Sequence, residues 1–113
     1  MQKRIKMNPK SIKEPILLYL KELKPKLEKE GITEIGLFGS FAKDEATIYS
    51  DIDIFVKTTD KFCNKHIGFA GLDFLEDLRQ DIAEHFNKEV DLCDMMGVKK
   101  EKRAEFFEGA IYA

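Results

Sequence analysis

The sequence predicts an α/β domain, because segments that resemble strands alternate with segments that resemble helices. Residues 34–38, 51–57 and 89–93 are short apolar segments with the composition of strands. Apolar residues recur every three or four positions between 14 and 30 and between 72 and 86, which predicts helices. Hydrophobic residues make up 43% and charged residues 35% of the 113 positions, as is typical of one globular domain.

The N-terminal part of the chain divides into a basic segment and a helix. Residues 1–10 are expected to form a flexible lead-in, and residues 11–113 a single domain. The first helix is expected to begin near Glu14, because Pro15 is best accommodated in a first turn. Pro25 should bend or break this helix, since a proline in the helix interior removes a backbone hydrogen bond.

The remaining elements follow from apolar spacing and turn residues. The twelve residues between the first two strands barely allow a crossover, so parallel and antiparallel pairing both remain open. Residues 58–71 contain Asp, Asn and two Gly and are expected to be mainly loop. In the strand at residues 89–93, Asp91 faces away from the apolar residues on either side of it. A last helix is predicted over residues 99–110.

Charge and composition argue against several classes of protein. The net charge of −2 and the pI near 5.7 disfavour binding to duplex nucleic acid, whose partners are normally basic. The sequence shows neither an apolar run long enough to span a membrane nor a signal peptide. Cys63 and Cys93 do not form a disulfide framework, so a reducing cytoplasm is expected.

The segment from Gly39 to Asp53 carries the chemistry that the sequence suggests. Gly39 and Ser40 follow an apolar strand and precede a segment that can begin a helix, an arrangement suited to binding phosphate. Asp51 and Asp53 lie two residues apart on the next strand, so both side chains leave the same face. Their Cα atoms would be about 6.6 Å apart, a spacing that suits carboxylates holding one or two hard cations.

This pattern of Gly-Ser, ten residues and Asp-x-Asp resembles the DNA polymerase beta-like nucleotidyltransferase superfamily. Within it the chain looks most like the minimal nucleotidyltransferases, small proteins often paired with a HEPN-type partner in toxin–antitoxin modules. The likeness covers roughly residues 14–113. The matching positions are Gly39, Ser40, Phe41, Ala42, Asp51, Ile52 and Asp53, the strand at Val90, Asp91 and Leu92, and the ending at residues 108–112.

The resemblance implies a small mixed β-sheet backed by helices on one face. It also implies a Mg²⁺-dependent enzyme that uses two metal ions and transfers AMP from ATP to a hydroxyl of a partner protein, a HEPN-type toxin. In this hypothesis Asp51, Asp53 and Asp91 are catalytic and bind the metal. Gly39, Ser40 and Lys43 contact the nucleotide in the same scheme, and Asp94 is an alternative to Asp91.

One departure from the family pattern keeps other functions open. Lys43 and Asp44 stand where the family usually has Arg-Gly, so a bidentate phosphate contact is lost and a negative charge is added. An antitoxin that acts by occlusion alone is therefore a second hypothesis. A nucleotidyltransferase acting on small molecules is a third, less favoured because such enzymes carry a second domain. The basic run at Lys99, Lys100, Lys102 and Arg103 is interpreted as a solvated face, with an acidic partner or RNA as the alternative.

Overall fold

Helices and strands alternate in the computed structural model, which describes the backbone of residues 9–113 and the side chains from residue 12 onward. Two 3₁₀ turns, Met95–Gly97 and Lys100–Lys102, precede the last helix. The other elements are α1 (Pro9–Lys29), β1 (Ile32–Phe38), α2 (Gly39–Ala42), β2 (Ile52–Thr58), α3 (Asp60–Lys65), α4 (Phe69–Phe86), β3 (Val90–Asp94), α5 (Arg103–Phe106) and β4 (Ile111–Tyr112).

The four strands form one mixed sheet in the order β3-β2-β1-β4. β1 pairs antiparallel with both β2 and β4, whereas β2 and β3 are parallel. The antiparallel pairing of β1 with β2 settles the direction that the sequence left open. The chain reverses between these strands through α2 and the loop of residues 43–51. The α/β class and the mixed sheet that the sequence suggested are confirmed.

One face of the sheet packs against α1 and α4 and forms the main hydrophobic core. The buried strand residues on this face follow the two-residue alternation of β1 and β2, which points every second side chain toward the helices. The core residues from these four elements include Ile16, Leu20, Leu27, Ile35, Leu37, Ile52, Ile54, Val56, Leu78, Ile82 and Phe86. The expected backing by helices on one face is therefore correct.

The opposite face of the sheet carries a cluster of aromatic rings. Phe55 is fully buried there, and its ring occupies the space that a side chain on Gly36 would need. Centroids of contacting rings in this cluster lie 4.9–6.3 Å apart, the usual range for aromatic pairs. The rings belong to Phe38, Phe55, Phe106, Phe107 and Tyr112. The C-terminal segment, which includes α5, thus covers part of the face opposite α1 and α4.

The first helix differs from its predicted form. α1 spans Pro9–Lys29, so the predicted start near Glu14 is wrong, and the helix continues through Pro25 without the break that was one of the two predicted effects of this proline. Leu27, two residues beyond Pro25, is 2% exposed, and its burial in the core favours helical geometry past the proline. Residues 1–8 of the predicted lead-in lie outside the described part of the chain, and the division at residue 11 stays a prediction.

Two other predictions fail where local sequence and packing disagree. The expected loop over residues 58–71 contains α3, because Phe62 is buried in the core and Asp60 occupies the first helical turn. The expected helix over residues 99–110 is reduced to a 3₁₀ turn and α5. Its lysines are exposed, and Gly109 lies at φ +76° beyond its end.

None of the helices within residues 9–113 combines the length and the apolar character that crossing a bilayer requires. Cys63 and Cys93 are both free thiols, so the expectation of no disulfide between them is correct.

Candidate active site

The turn after β1 holds Gly39 in a conformation that favours glycine. Its φ is +71°, and the one turn of α2 is closed by the Lys43 amide, which donates to the Gly39 carbonyl at 3.2 Å. A Cβ atom at position 39 would lie 2.9 Å from Cγ of Asp53, closer than real Cβ contacts. The missing side chain of Gly39 therefore allows the Asp53 carboxyl group to lie directly against the backbone of the turn.

Asp53 and Asp91 lie side by side on adjacent strands. They are register partners in the parallel β2–β3 ladder, so their side chains project from the same face of strands about 4.8 Å apart. Asp51 immediately precedes β2, two residues before Asp53, and both Asp51 and Asp91 are exposed to solvent. The three aspartates are called the carboxylate cluster below. They lie on the sheet face opposite α1 and α4, near Phe38, the register partner of Asp53.

The carboxylate cluster has an unfavourable concentration of negative charge. The pKa of Asp53 is raised above its ordinary value of 3.8, first by burial and then by the charges of Asp91 and Asp51. A hydrogen bond between the carboxyl groups of Asp53 and Asp91 raises it further. A bound cation would relieve this repulsion, because it favours the ionised form of each group.

The carboxylate cluster fits magnesium better than a metal that needs a closed protein site. Among the described side chains, no group of three or more His, Cys, Asp or Glu is arranged to hold a metal ion by itself. Mg²⁺ usually takes only one or two protein carboxylates and completes its shell with water and substrate phosphates. Two neighbouring carboxylates that are partly open to solvent suit this mode of binding.

Asp94, the alternative to Asp91, makes hydrogen bonds within the fold. Its carboxylate accepts from the Thr58 hydroxyl at 2.6 Å, and from the Thr58 and Met96 amides at 3.4 and 3.0 Å. These bonds tie the end of β3 to β2 and cap the following 3₁₀ turn. The geometry therefore favours Asp91 as the third member of the cluster.

Ser40 and Lys43 lie on α2, between Gly39 and the loop that leads to β2. Ser40 is half-buried, and its carbonyl accepts from the Glu45 amide at 2.9 Å. Lys43 is exposed, and its alkyl chain lies over Gly109, with Cγ 3.2 Å from the position of a Cβ there. Lys43 is not among the charges that shift the pKa of Asp53. The fold thus brings Gly39 to the carboxylate cluster and leaves Lys43 at the rim.

Lys13 also contacts this turn and carries no local sequence signal for doing so. Its Nζ donates to the carbonyl of Ala42, the last residue of α2, at 3.1 Å across 29 positions of sequence. The helical pattern of α1 indicates only which face is buried. A contact made by the end of a long side chain depends on how the helix docks.

A family model described as a nucleotidyltransferase domain matches residues 19–113. The chain belongs to this family. The match includes the Gly39 turn and all three members of the carboxylate cluster. A search of curated proteins gives no significant match.

Solved structures agree with the nucleotidyltransferase fold. A mutant MntA–HpeT toxin–antitoxin complex matches with a TM-score of 0.58 at 20% identity, over 88% of this chain and 70% of the other. A toxin–antitoxin structure with AMP-PNP matches with a TM-score of 0.52 at 22% identity, over 79% and 70%. A complex of tri-AMPylated Shewanella oneidensis HEPN toxin with MNT antitoxin has a TM-score of 0.49 at 22% identity, over 77% and 59%, and adds nothing to the fold assignment.

The charge repulsion in this nucleotidyltransferase domain leads to a prediction about stability. Because folding raises the pKa of Asp53, ionisation of this residue costs folding free energy as the pH rises from 3.8 through the raised value. We expect Asp53→Asn to raise the melting temperature by a few degrees at pH 7 without metal, and to leave it unchanged at about pH 3. Scanning calorimetry of both proteins measures this. A lower melting temperature for the variant at pH 7 would show that the Asp53 carboxylate stabilises the fold.

Proposed function

We propose that this chain is a Mg²⁺-dependent nucleotidyltransferase that transfers AMP from ATP to a hydroxyl group of a partner protein, a HEPN-type toxin. The observation that carries the proposal is the placement of Asp53 and Asp91 side by side, with Asp53 against the backbone of Gly39. Carboxylates that repel one another beside an open glycine turn are suited to binding a nucleotide with its metal ions.

Two similarities support the choice of substrate and partner. The two solved structures described above with TM-scores above 0.5 are toxin–antitoxin structures, and one of them contains AMP-PNP, an analogue of ATP. The HEPN type of the toxin rests on the resemblance of the Gly-Ser and Asp-x-Asp motif to minimal nucleotidyltransferases. Membership of the nucleotidyltransferase family supports transfer of a nucleotide in general.

The proposal assigns each site residue a role that suits its position. Asp51, Asp53 and Asp91 would hold Mg²⁺, which when bound neutralises phosphate charge and lowers the pKa of the attacking hydroxyl. The Gly39 amide and the Ser40 hydroxyl orient the phosphates, and Lys43 adds a positive charge at the rim. Asp91, the more exposed of the two register partners, accepts the proton of the acceptor hydroxyl. The acceptor oxygen bonds to the α-phosphorus, whose bond to the bridging oxygen breaks, and pyrophosphate leaves.

The surface beside the carboxylate cluster suits a protein acceptor. Ile48 and Tyr49 are 63% and 86% exposed, and they precede Asp51 in the chain. Their turn is ordered, because the Thr47 amide donates to the Ser50 hydroxyl at 2.8 Å and Lys88 donates to the Ile48 carbonyl at 3.2 Å. These two exposed apolar side chains would give a protein acceptor a surface to contact next to the site.

The test is incubation of the wild-type chain with labelled ATP, Mg²⁺ and the product of the neighbouring reading frame. We expect mass spectrometry to find AMP on a hydroxyl of that partner, and to find none when Mg²⁺ is replaced by EDTA. A parallel reaction with an aminoglycoside as acceptor tests the small-molecule alternative.

The outcomes separate the three hypotheses. Labelling of the partner supports the proposed transfer, and labelling of the aminoglycoside alone overturns it. If the partner stays unmodified but is inhibited in a stable complex, the chain acts by occlusion. The carboxylate cluster would then have no catalytic role.

A further inference from the structure

Asp44 places a negative charge next to the turn that the proposed function assigns to phosphate binding. It lies two residues after the end of α2 and adopts φ +59°, a left-handed conformation that few residues other than glycine, asparagine and aspartate tolerate. Only the short helix α2 and Lys43 separate Asp44 from Gly39, so at about 1.5 Å of rise per residue the backbones of Asp44 and Gly39 are about 7.5 Å apart along the helix axis. This is within the Debye length of about 8 Å at physiological ionic strength, and a bound triphosphate would be repelled.

Lys13 of α1 neutralises this charge. Its Nζ lies 3.2 Å from each carboxylate oxygen of Asp44 and also donates to the Ala42 carbonyl at 3.1 Å. The side chain of Lys13 is 18% exposed, whereas that of Asp44 is 57% exposed. The ammonium group is thus held between the carboxylate and the C-terminal end of α2, where a positive charge is also favourable.

We propose that Lys13 is a positioning residue for nucleotide binding, which pairs with Asp44 so that the phosphates meet no unpaired negative charge at the end of α2. This inference rests on the proposed function, since it assumes that a nucleotide binds at the Gly39 turn. It goes further by assigning a role to a residue of α1 that does not touch the substrate.

A merely structural ion pair would behave differently. Partly exposed ion pairs contribute little to folding free energy, so loss of this pair alone should hardly change the melting temperature. An electrostatic role in binding instead predicts weaker nucleotide affinity, a dependence on salt, and recovery when the charge of Asp44 is also removed. Asn is the suitable replacement for Asp44, because it too tolerates a positive φ.

The experiment titrates a fluorescent ATP analogue with Mg²⁺ into wild type, Lys13→Met, Asp44→Asn and the double variant. We expect Lys13→Met to bind roughly three- to tenfold more weakly at low salt, and the difference to shrink at high salt. Asp44→Asn should bind like wild type, and the double variant within about twofold of Asp44→Asn. Melting temperatures of all four proteins check that each is folded.

Lys65→Met serves as the matched control. It removes the same charge from another ion pair, that of Lys65 with Glu30, which lies beyond the opposite end of β2 from Asp53. We expect this variant to bind the analogue like wild type. A loss equal to that of Lys13→Met would mean that net charge, rather than the position of Lys13, governs affinity, and would overturn the inference.

The remaining outcomes are equally decisive. If Lys13→Met binds like wild type, or if the double variant binds as weakly as Lys13→Met, neutralisation of Asp44 is not the role of Lys13. If the wild-type protein itself does not bind the analogue, the proposed function fails and the inference fails with it.

Discussion

Asp91→Asn is expected to reduce AMP transfer by about a thousandfold or more, while the affinity for ATP stays within about threefold of wild type. Asparagine keeps the size of the side chain but cannot take a proton from the acceptor hydroxyl. Asp51 and Asp53 remain to hold the nucleotide with its metal. The substitution therefore destabilises the transition state of transfer and leaves the binding free energy of ATP almost unchanged.

Single-turnover transfer to the partner and titration with the ATP analogue measure the two effects separately. Asp94→Asn is the control, three residues along the same strand. It weakens the bonds to Thr58 and Met96, so we expect about 1–2 kcal/mol less stability but normal transfer per folded molecule. If Asp91→Asn lost affinity as strongly as transfer, Asp91 would act in binding alone. Loss of transfer in Asp94→Asn would indicate that Asp94, rather than Asp91, accepts the proton of the acceptor hydroxyl.

Gly39→Ala is expected to abolish detectable nucleotide binding, whereas Ser40→Ala should weaken it about fivefold, as for one hydrogen bond of about 1 kcal/mol. The alanine Cβ would collide with the Asp53 carboxyl group, so either this group or the turn must move. The positive φ of Gly39 adds about 1–2 kcal/mol of backbone strain for any side chain.

The Gly68→Ala variant separates the effect of backbone strain from the effect of the collision with Asp53. Gly68 also has a positive φ, +65°, but a Cβ atom there would meet no atom within 4 Å. We expect both Gly39→Ala and Gly68→Ala to bear backbone strain, and only the first to lose binding of the ATP analogue. Equal binding by the two variants would mean that the space beside Asp53 is not needed. If Ser40→Ala bound the analogue more weakly than Gly39→Ala, the Ser40 hydroxyl would contribute more to phosphate binding than the open space at Gly39.

The α/β class was predictable because apolar spacing is local, and each predicted strand agrees with the structure to within about two residues. The pairing direction of β1 and β2 could not be predicted, since a twelve-residue connection is compatible with parallel and with antiparallel strands. β4 has only two residues, too few to show a pattern. α3 was hidden by the Asn and Gly residues around it, although Phe62 packs into the core.

The placement of the carboxylate cluster on one face was predictable for Asp51 and Asp53, because residues two apart on a strand share a face. Asp91 was preferred to Asp94 because it precedes the end of the strand, but the bonds of Asp94 to Thr58, which lies 36 positions before it, could not be predicted. The contact of Lys13 with Asp44 spans 31 positions and follows only from the docking of α1. Such contacts are properties of packing rather than of local pattern.

The parallel pairing of β2 with β3 also affects how the carboxylate cluster forms during folding. Asp51 and Asp53 are near neighbours of Gly39 in the chain, and the antiparallel β1–β2 pair brings them together by closing a short loop. Asp91 is separated from them by α3 and α4, and closing this longer loop costs more chain entropy. Until β3 pairs with β2, Asp91 is not held beside Asp53, and the chain lacks the repulsion between these two carboxylates that is present in the native state.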